Sequence, residues 1–259
     1  MIHPQANIHP EAILGKNVTV EPFSNIHHNV SIGEGTWIGS NVTIFEGARI
    51  GKNCKIFPGA SISAIPQDLK FNGEKTEVII GDNTVIRECV TISRGTIDRL
   101  QTKIGNNVLL MAYVHVAHDC IIGNHCILAN AVQLAGHVVI DDYAIIGGVT
   151  AIHQFVKIGA HAMISGGSLA RKDVPPYTKA AREPLSYCGI NSIGLRRRGF
   201  SAEKIQEIQE IYRYIFLKGL NNSKSLELIE LELPPSSERD EIVNFVKNSD
   251  RGVMKGYNY

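Results

Sequence analysis

Aliphatic residues recur in this chain at every sixth position. The series starts at Ile2 and runs Ile8, Leu14, Val20, Ile26, Ile32, Ile38, Ile44, Ile50, Ile56, Ile62. It resumes at Ile80, Ile86 and Ile92, and again from Ile104 through Leu110, Val116, Ile122, Leu128, Leu134, Ile140, Ile146, Ile152 and Ile158 to Ile164. Only Asp68, Glu74 and Asp98 break it. Four positions after the aliphatic stands a small or β-branched residue, as at Ala48, Cys54, Ala60, Cys120, Cys126 and Ala144. Glycine often follows the aliphatic directly, as at Gly33, Gly51 and Gly123.

A period of six fits neither the 3.6-residue turn of a helix nor the two-residue alternation of a lone strand. It fits a short strand plus a turn, with the aliphatic and the small residue facing inward and Gly or Asn tolerating the turn backbone. Three such sides close a triangular coil of about 18 residues, the hexapeptide parallel β-helix. Counting every hexad gives about nine coils, a prism ~45 Å long at a strand spacing of ~4.8 Å. Residues 63–79 and 96–103 lack the pattern but return the chain in phase. The first is read as one full coil and the second as one hexad, both bulging out as loops. A solenoid needs no such loops for stability, so they are candidates for ligand or partner contact.

The repeat stops after about Ser168, and Asp173-Val174-Pro175-Pro176 is read as a break in regular structure. From Ser201, a fitting N-cap, the apolar spacing turns helical through Ile205, Ile208, Ile211, Tyr212, Ile215 and Phe216. Leu226 to Leu231 and Ile242 to Val246 predict two more helices. The expected organisation is a β-helix over 1–190, with the two loop insertions, followed by an α-helical C-terminal domain over 191–259.

Composition narrows the function. With 44% apolar and 20% charged residues the chain is no disordered polymer. Lys+Arg is 26 against Asp+Glu 25, a balance that argues against a nucleic-acid binder. No apolar run reaches membrane-spanning length and no export signal opens the sequence, so a cytoplasmic protein is expected. Five scattered cysteines without a CxxC pair indicate neither disulfides nor a zinc knuckle. Cys54, Cys120 and Cys126 fall in the inward small-residue slot and are read as core packing.

Chemistry is sought at outward positions that carry residues the fold does not need. Stacking by 18 gathers His118, Asp119, His137, His153 and Gln154 at one outer corner, with Gly136 one coil above His118. An imidazole beside a carboxylate is a base and its orienter, and the glycine offers an unshielded N–H to a developing oxyanion. The residues alone leave other readings open. These side chains serve equally as polar ties between coils, or His115, His118 and His137 converge on zinc in a hydratase or hydrolase, or the solenoid only binds a partner. Gln67, Asp68 and Lys70 in the first loop offer an acceptor and a cation together, and Arg196-Arg197-Arg198 offers charge to phosphates.

Several segments read together carry a resemblance: Pro66–Lys70 (PQDLK), Ala117–Cys120 (AHDC) after His115, Leu134–His137 (LAGH), Ile145–Gly148, Ile152–Phe155 (IHQF), Asp173–Tyr177 and Arg197–Phe200. In this order and spacing the chain resembles the UDP-N-acetylglucosamine O-acyltransferases of lipid A biosynthesis over nearly its whole length. The sister N-acyltransferases carry an additional N-terminal domain, whereas hexads here begin at Ile2. The resemblance implies a left-handed helix and transfer of a 3-hydroxyacyl group from acyl carrier protein to the glucosamine 3-hydroxyl, without cofactor or metal. It implies His118 as general base, Asp119 as its support and the Gly136 amide as oxyanion donor. His115, His137, Gly148, His153 and Gln154 would line the site, and Gln67, Asp68 and Lys70 would hold the sugar. Asn191, Arg197 and Arg198 would meet the nucleotide. Gly166 matches the position that limits acyl-chain depth, and a glycine there implies room for a longer chain. The family is a homotrimer with sites between prisms. One departure stands out: Ile193 occupies the place of a family glutamate that contacts the nucleotide.

Overall fold

Each hexad folds as a two-residue strand whose second residue is the inward aliphatic, followed by a turn. In the computed structural model, which describes residues 1–256, these strands stack into three sheets of nine, eight and eleven strands. The sheets are the faces of a left-handed parallel β-helix. Val116, Leu134 and Ile152 stand on the first face, Ile122, Ile140 and Ile158 on the second, Leu128, Ile146 and Ile164 on the third. Successive coils align residue on residue, so aliphatic stacks on aliphatic. Ile38, Ile44, Ile56, Ile62, Ile86, Ile92, Leu110 and Leu128 are wholly buried, each contributing about 1.5–3 kcal/mol of hydrophobic stabilisation. Cys54, Cys120 and Cys126 lie in the same column. Burial pushes the Cys120 and Cys126 thiols up to about 12, so both are inert packing groups.

The corners explain the polar spacing. Each is turned through a left-handed residue, often asparagine, as at Asn17, Asn41, Asn53 and Asn107, because its short side chain tolerates that backbone. In later coils Asp119, Tyr143, Phe155, His137 and His161 take the same slot.

The two interruptions differ from the sequence reading. Ile62 pairs with Ile44 and Ile92 on the first face, while Ile80 pairs with Ile50 and Ile104 on the second. The stretch from Ile62 to Ile80 is therefore one side with an enlarged corner, not a full coil. Asp68 and Glu74 lie in its loop, 65–76, and are not inward positions. Ile92 and Ile104 likewise stand on the first and second faces, so the loop 94–100 leaves the same corner one coil later. The loops thus take about one coil out of the count made between Ile2 and Ile164. At the other end the coil outruns its pattern. Leu169–Ala170 extends the first face, Val174 bridges Ile158 on the second, and Thr178–Ala181 pairs with Met163–Ile164 on the third. The two prolines sit in that last corner.

The chain then reverses into Ser186–Ile190, antiparallel to Thr178–Ala181. Four helices follow: α1 (Ser192–Arg197), α2 (Ala202–Phe216), α3 (Asn222–Glu232) and α4 (Ser237–Lys247). Ser201, Asn221 and Ser236 each accept a backbone N–H three residues on, as N-caps do. The apolar spacing predicted the buried faces of α2 and α4, and Leu226 and Ile229 of α3, whereas Leu231 is exposed. A short strand, Lys255–Gly256, returns to Ser186–Tyr187 and adds to the third face. Residues 257–259 of the expected C-terminal segment lie outside the described residues.

Candidate active site

The corner between Val116 on the first face and Ile122 on the second holds His118 and Asp119. One coil on, the same corner holds Gly136 and His137, and after it Gln154 and Phe155. The backbone ties the stack: the His137 N–H donates to the His118 carbonyl at 3.0 Å and the Phe155 N–H to the Gly136 carbonyl at 3.2 Å. His118 is 7% exposed and Asp119 fully buried. His118 Nδ1 lies 2.8 Å from Asp119 Oδ2. An ionised carboxylate only accepts, so this contact assigns the proton to Nδ1 and the lone pair to Nε2. Gly136 lies against the ring: a Cβ there would sit 2.6 Å from Cε1 and 2.7 Å from Nε2. The Gly136 N–H meets no acceptor among the described residues. Asp68 Oδ2, from the first loop, is 3.8 Å from Nε2, so two acceptors stand side by side at the mouth of the corner.

Asp119 is held from the second loop. Thr96 donates its N–H to Oδ1 at 3.0 Å and its hydroxyl to Oδ2 at 2.6 Å. Burial pushes this carboxyl up, but the bonds from Thr96 and His118 outweigh burial and hold it below the usual carboxylate range. His137 stacks on Phe155 at 4.5 Å and meets His118 edge-on at 5.2 Å. Its Nε2 stands 3.6 Å from Asp98 and 3.7 Å from Asp119. Burial lowers its pKa, as burial and the neighbouring His118 lower that of His115. His115 Nδ1 bonds the Thr91 hydroxyl at 2.7 Å. An open groove of about 430 Å³ runs past Gln67, His115, His118, Gln133, Gly136 and Gln154. His153 is exposed beside it, its Nδ1 3.2 Å from the Gln154 carbonyl. Lys70 is exposed, next to Asp68 in the first loop.

The remaining expected residues fall at the other two corners. Gly148 and Gly166 stack where the third face turns into the first, and a Cβ on Gly166 would lie 3.0 Å from the Gly148 carbonyl oxygen. Asn191, Arg197 and Arg198 lie by the corner between second and third faces. Asn191 is buried and its amide is engaged on both atoms: Nδ2 donates to the His161 carbonyl at 2.9 Å, and Oδ1 caps α1 by accepting the Gly194 N–H at 3.2 Å. Arg198 donates to the Tyr143 carbonyl at 3.0 Å and covers the Tyr143 ring. Its Nη1 is buried without a partner among the described residues. Arg197 is exposed, and Ile193 is 63% exposed. A triangular prism keeps these three groups apart within one chain.

Sequence reasoning missed Thr96, Asp98 and Arg99. The usable signal was that both loops replace the same side of a coil, which counting Ile62 to Ile80 as a whole coil concealed. The zinc set also changes. Among the described residues His118, Asp119 and His137 offer ligand atoms within 4.8 Å of one another, while His115 turns to Thr91. Asp119 Oδ2 already accepts from Thr96 and His118, which leaves it poorly disposed to an ion.

Comparison with known proteins agrees with this geometry. A family described as "Udp N-acetylglucosamine O-acyltransferase; Domain 2" matches residues 173–254, and "Bacterial transferase hexapeptide (six repeats)" matches 29–64 and 101–136. The chain is 58% identical over 253 residues to an acyl-(acyl-carrier-protein)–UDP-N-acetylglucosamine O-acyltransferase of Sulfurihydrogenibium sp., covering 97% of this chain and 93% of that one. It is 59% identical over 252 residues to the enzyme of that name from Chlorobium phaeobacteroides, covering 97% and 96%. The crystal structure of a UDP-N-acetylglucosamine acyltransferase from Bacteroides fragilis superposes with a TM-score of 0.97 at 53% identity, over 98% of this chain and 100% of that one. With the fold, the ordered motifs and the full-length relatives in agreement, the chain belongs to the UDP-N-acetylglucosamine O-acyltransferase family.

Proposed function

We propose that this chain catalyses the first step of lipid A biosynthesis, moving a 3-hydroxyacyl group from acyl carrier protein to the glucosamine 3-hydroxyl of UDP-N-acetylglucosamine. The observation that carries the mechanism is the His118 ring, held at Nδ1 by a buried carboxylate with Nε2 facing the groove under Gly136. The sugar 3-hydroxyl donates to Nε2, and Asp68 accepts from a neighbouring hydroxyl of the same sugar. The pKa of the 3-hydroxyl is far above neutrality, so His118 takes the proton as the oxygen attacks, not before. The C–O bond forms at the thioester carbonyl while the Gly136 N–H stabilises the oxyanion. The intermediate collapses with loss of the C–S bond, and His118 returns its proton to the leaving thiolate. The thioester is already activated, so no acyl-enzyme forms. Asp119 keeps the tautomer and supports the imidazolium. Gln67, Lys70, His115, His137, His153 and Gln154 line the sugar and thioester positions. Arg197 and Arg198 Nη1 face the nucleotide phosphates, and Asn191 fixes α1 beneath them. Gly148 and Gly166 leave open the path of the acyl chain, and the glycine at 166 leaves depth for a long one. The reaction needs no metal and no cofactor.

The working unit is a homotrimer. One chain distributes its site residues over three corners, and a cyclic threefold brings one chain's corner against its neighbour's. Leu69 at the first loop's tip is fully exposed, as are Tyr113 and Val149 in large part at the third-to-first corner; an assembly would cover such apolar groups. No helix is long and apolar enough to cross a membrane among the described residues, and the expected compartment is the cytoplasm, where carrier protein supplies the donor. Purified protein given both substrates should yield the O-acylated sugar nucleotide and free carrier thiol, and should do so undiminished after chelator treatment. Absence of product with fresh donor overturns the reading.

A further inference from the structure

We infer that Thr96, in the second loop, is a positioning residue for the base: it fixes the Asp119 carboxylate and through it His118. The inference rests on the acyl-transfer reading above. Asp119 is fully buried, and its acceptor sites are accounted for. Oδ1 accepts the N–H of Thr96 at 3.0 Å and of Arg99 at 3.3 Å. Oδ2 accepts the Thr96 hydroxyl at 2.6 Å and faces His118 Nδ1 at 2.8 Å. Thr96 itself is only 6% exposed. Arg99 pins the loop to the same residue, donating to the Asp119 carbonyl at 2.7 Å.

Coils elsewhere turn this corner within a single hexad, so the prism does not require residues 94–100. What the loop adds is a two-point clamp on one carboxylate. With both oxygens engaged, the carboxylate cannot rotate without breaking bonds in a dry site, where an unsatisfied acceptor is costly. Oδ2 therefore stays on Nδ1. The hydroxyl also draws on the same oxygen that supports the imidazole. The charged and titratable groups facing His118 are Asp119, Asp68, His115 and His137, with Asp98 and Arg99 behind them.

The test uses Thr96→Val, which keeps the shape and loses the hydroxyl, and Thr96→Ser, which keeps it, both checked for size and melting temperature. Thr96→Val should lower kcat about tenfold with KM for the sugar nucleotide within about twofold, and Thr96→Ser should recover most of the loss. In an Asp119→Asn background Thr96→Val should cost less than about twofold more, since the group it positions is gone. A second readout needs no substrate: carbethoxylation of His118 by diethyl pyrocarbonate, followed by peptide mass spectrometry between pH 5 and 8. Across that range the rate of modification at His118 should rise at least about twofold in Thr96→Val, because the released ring reaches the reagent more often, and match the parent in Thr96→Ser. An unchanged modification rate with wild-type kcat overturns the inference, as does an equal kcat loss with and without Asp119. Should wild-type protein transfer no acyl group, the acyl-transfer reading fails on its own and the carbethoxylation rate still decides the role of Thr96.

Discussion

Two corners of one prism hold a histidine in the same left-handed backbone slot, and their surroundings are opposite. His137 stacks on Phe155 and faces Asp119 and Asp98. His161 is stacked between Tyr143 and Tyr177, faces Arg198, and leaves Nδ1 without a partner among the described residues. Burial lowers both pKa values. At His137 the Asp119 carboxylate opposes burial, whereas at His161 the Arg198 guanidinium adds to it and the pKa falls to about 4. The coil supplies the slot; the inserted loops and the C-terminal helices decide whether a ring there lies in a proton-transfer network or stays a neutral plate. Loop residues bring carboxylates to the first-to-second corner, and the last turn and C-cap of α1 bring cations to the second-to-third.

The strongest test of that contrast removes the base. His118→Ala should cut kcat by about 10²–10⁴-fold, with the oligomeric state and the melting curve essentially preserved, because the side chain lies outside the aliphatic column. Retention of full turnover would end the claim that the first-to-second corner is the reactive one. Gly136→Ala comes next. Its backbone is ordinary, but the added methyl would lie 2.6 Å from the imidazole. Displacing the ring by even part of that overlap should lower kcat about 10–100-fold. If the variant turns over normally, the ring is not held where the oxyanion mechanism requires it.

Much of this was legible beforehand because a solenoid converts spacing into position. A period of six fixed the inward column, and stacking by 18 placed Gly136 over His118 and His137 over Asp119, all within a stretch free of insertions. The same arithmetic failed wherever the chain left the coil. Asp68 sits within reach of His118 Nε2, and Thr96 holds Asp119, only because both loops open from one corner; nothing periodic in 65–76 or 94–100 encodes that. The last coil escaped notice for a related reason: Ala170, Val174 and Ala180 fill the inward positions with smaller side chains at broken spacing. Asn191 was expected at the nucleotide, and its amide also caps α1 and bonds the His161 carbonyl, a tertiary use that no local pattern announces.

The second corner makes its own pH prediction. His161 has a folded pKa of about 4 against an ordinary 6.5, so the fold prefers its neutral form. That contribution is fully present above about pH 6.5 and is lost as pH falls from there through about 4. His161→Phe keeps the stacked ring and removes the titration. Urea midpoints measured from pH 7.5 down to 4.5 should therefore fall less steeply in His161→Phe than in the parent protein. Identical slopes would mean that Arg198 and burial do not hold the ring neutral, and the contrast between the two corners would lose its electrostatic half.

The smallest effect is expected at Ile193. The resemblance led to the expectation of a glutamate here, and in this chain the isoleucine projects 63% exposed from the first turn of α1. Ile193→Glu breaks no core contact. It places a negative charge near a helix N-terminus, worth about 0.3–1 kcal/mol in favour of the helix when exposed, so melting should change little and in the stabilising direction. Its effect on the sugar nucleotide should also be modest, because the cations Arg197 and Arg198 are already in place and a solvent-exposed acceptor adds little net energy. KM should move by less than about threefold, with kcat unchanged. A drop of tenfold or more would show that binding at the second-to-third corner was left incomplete in this chain, and that the corner is tuned by single exposed side chains in a way the buried His118–Asp119 corner is not.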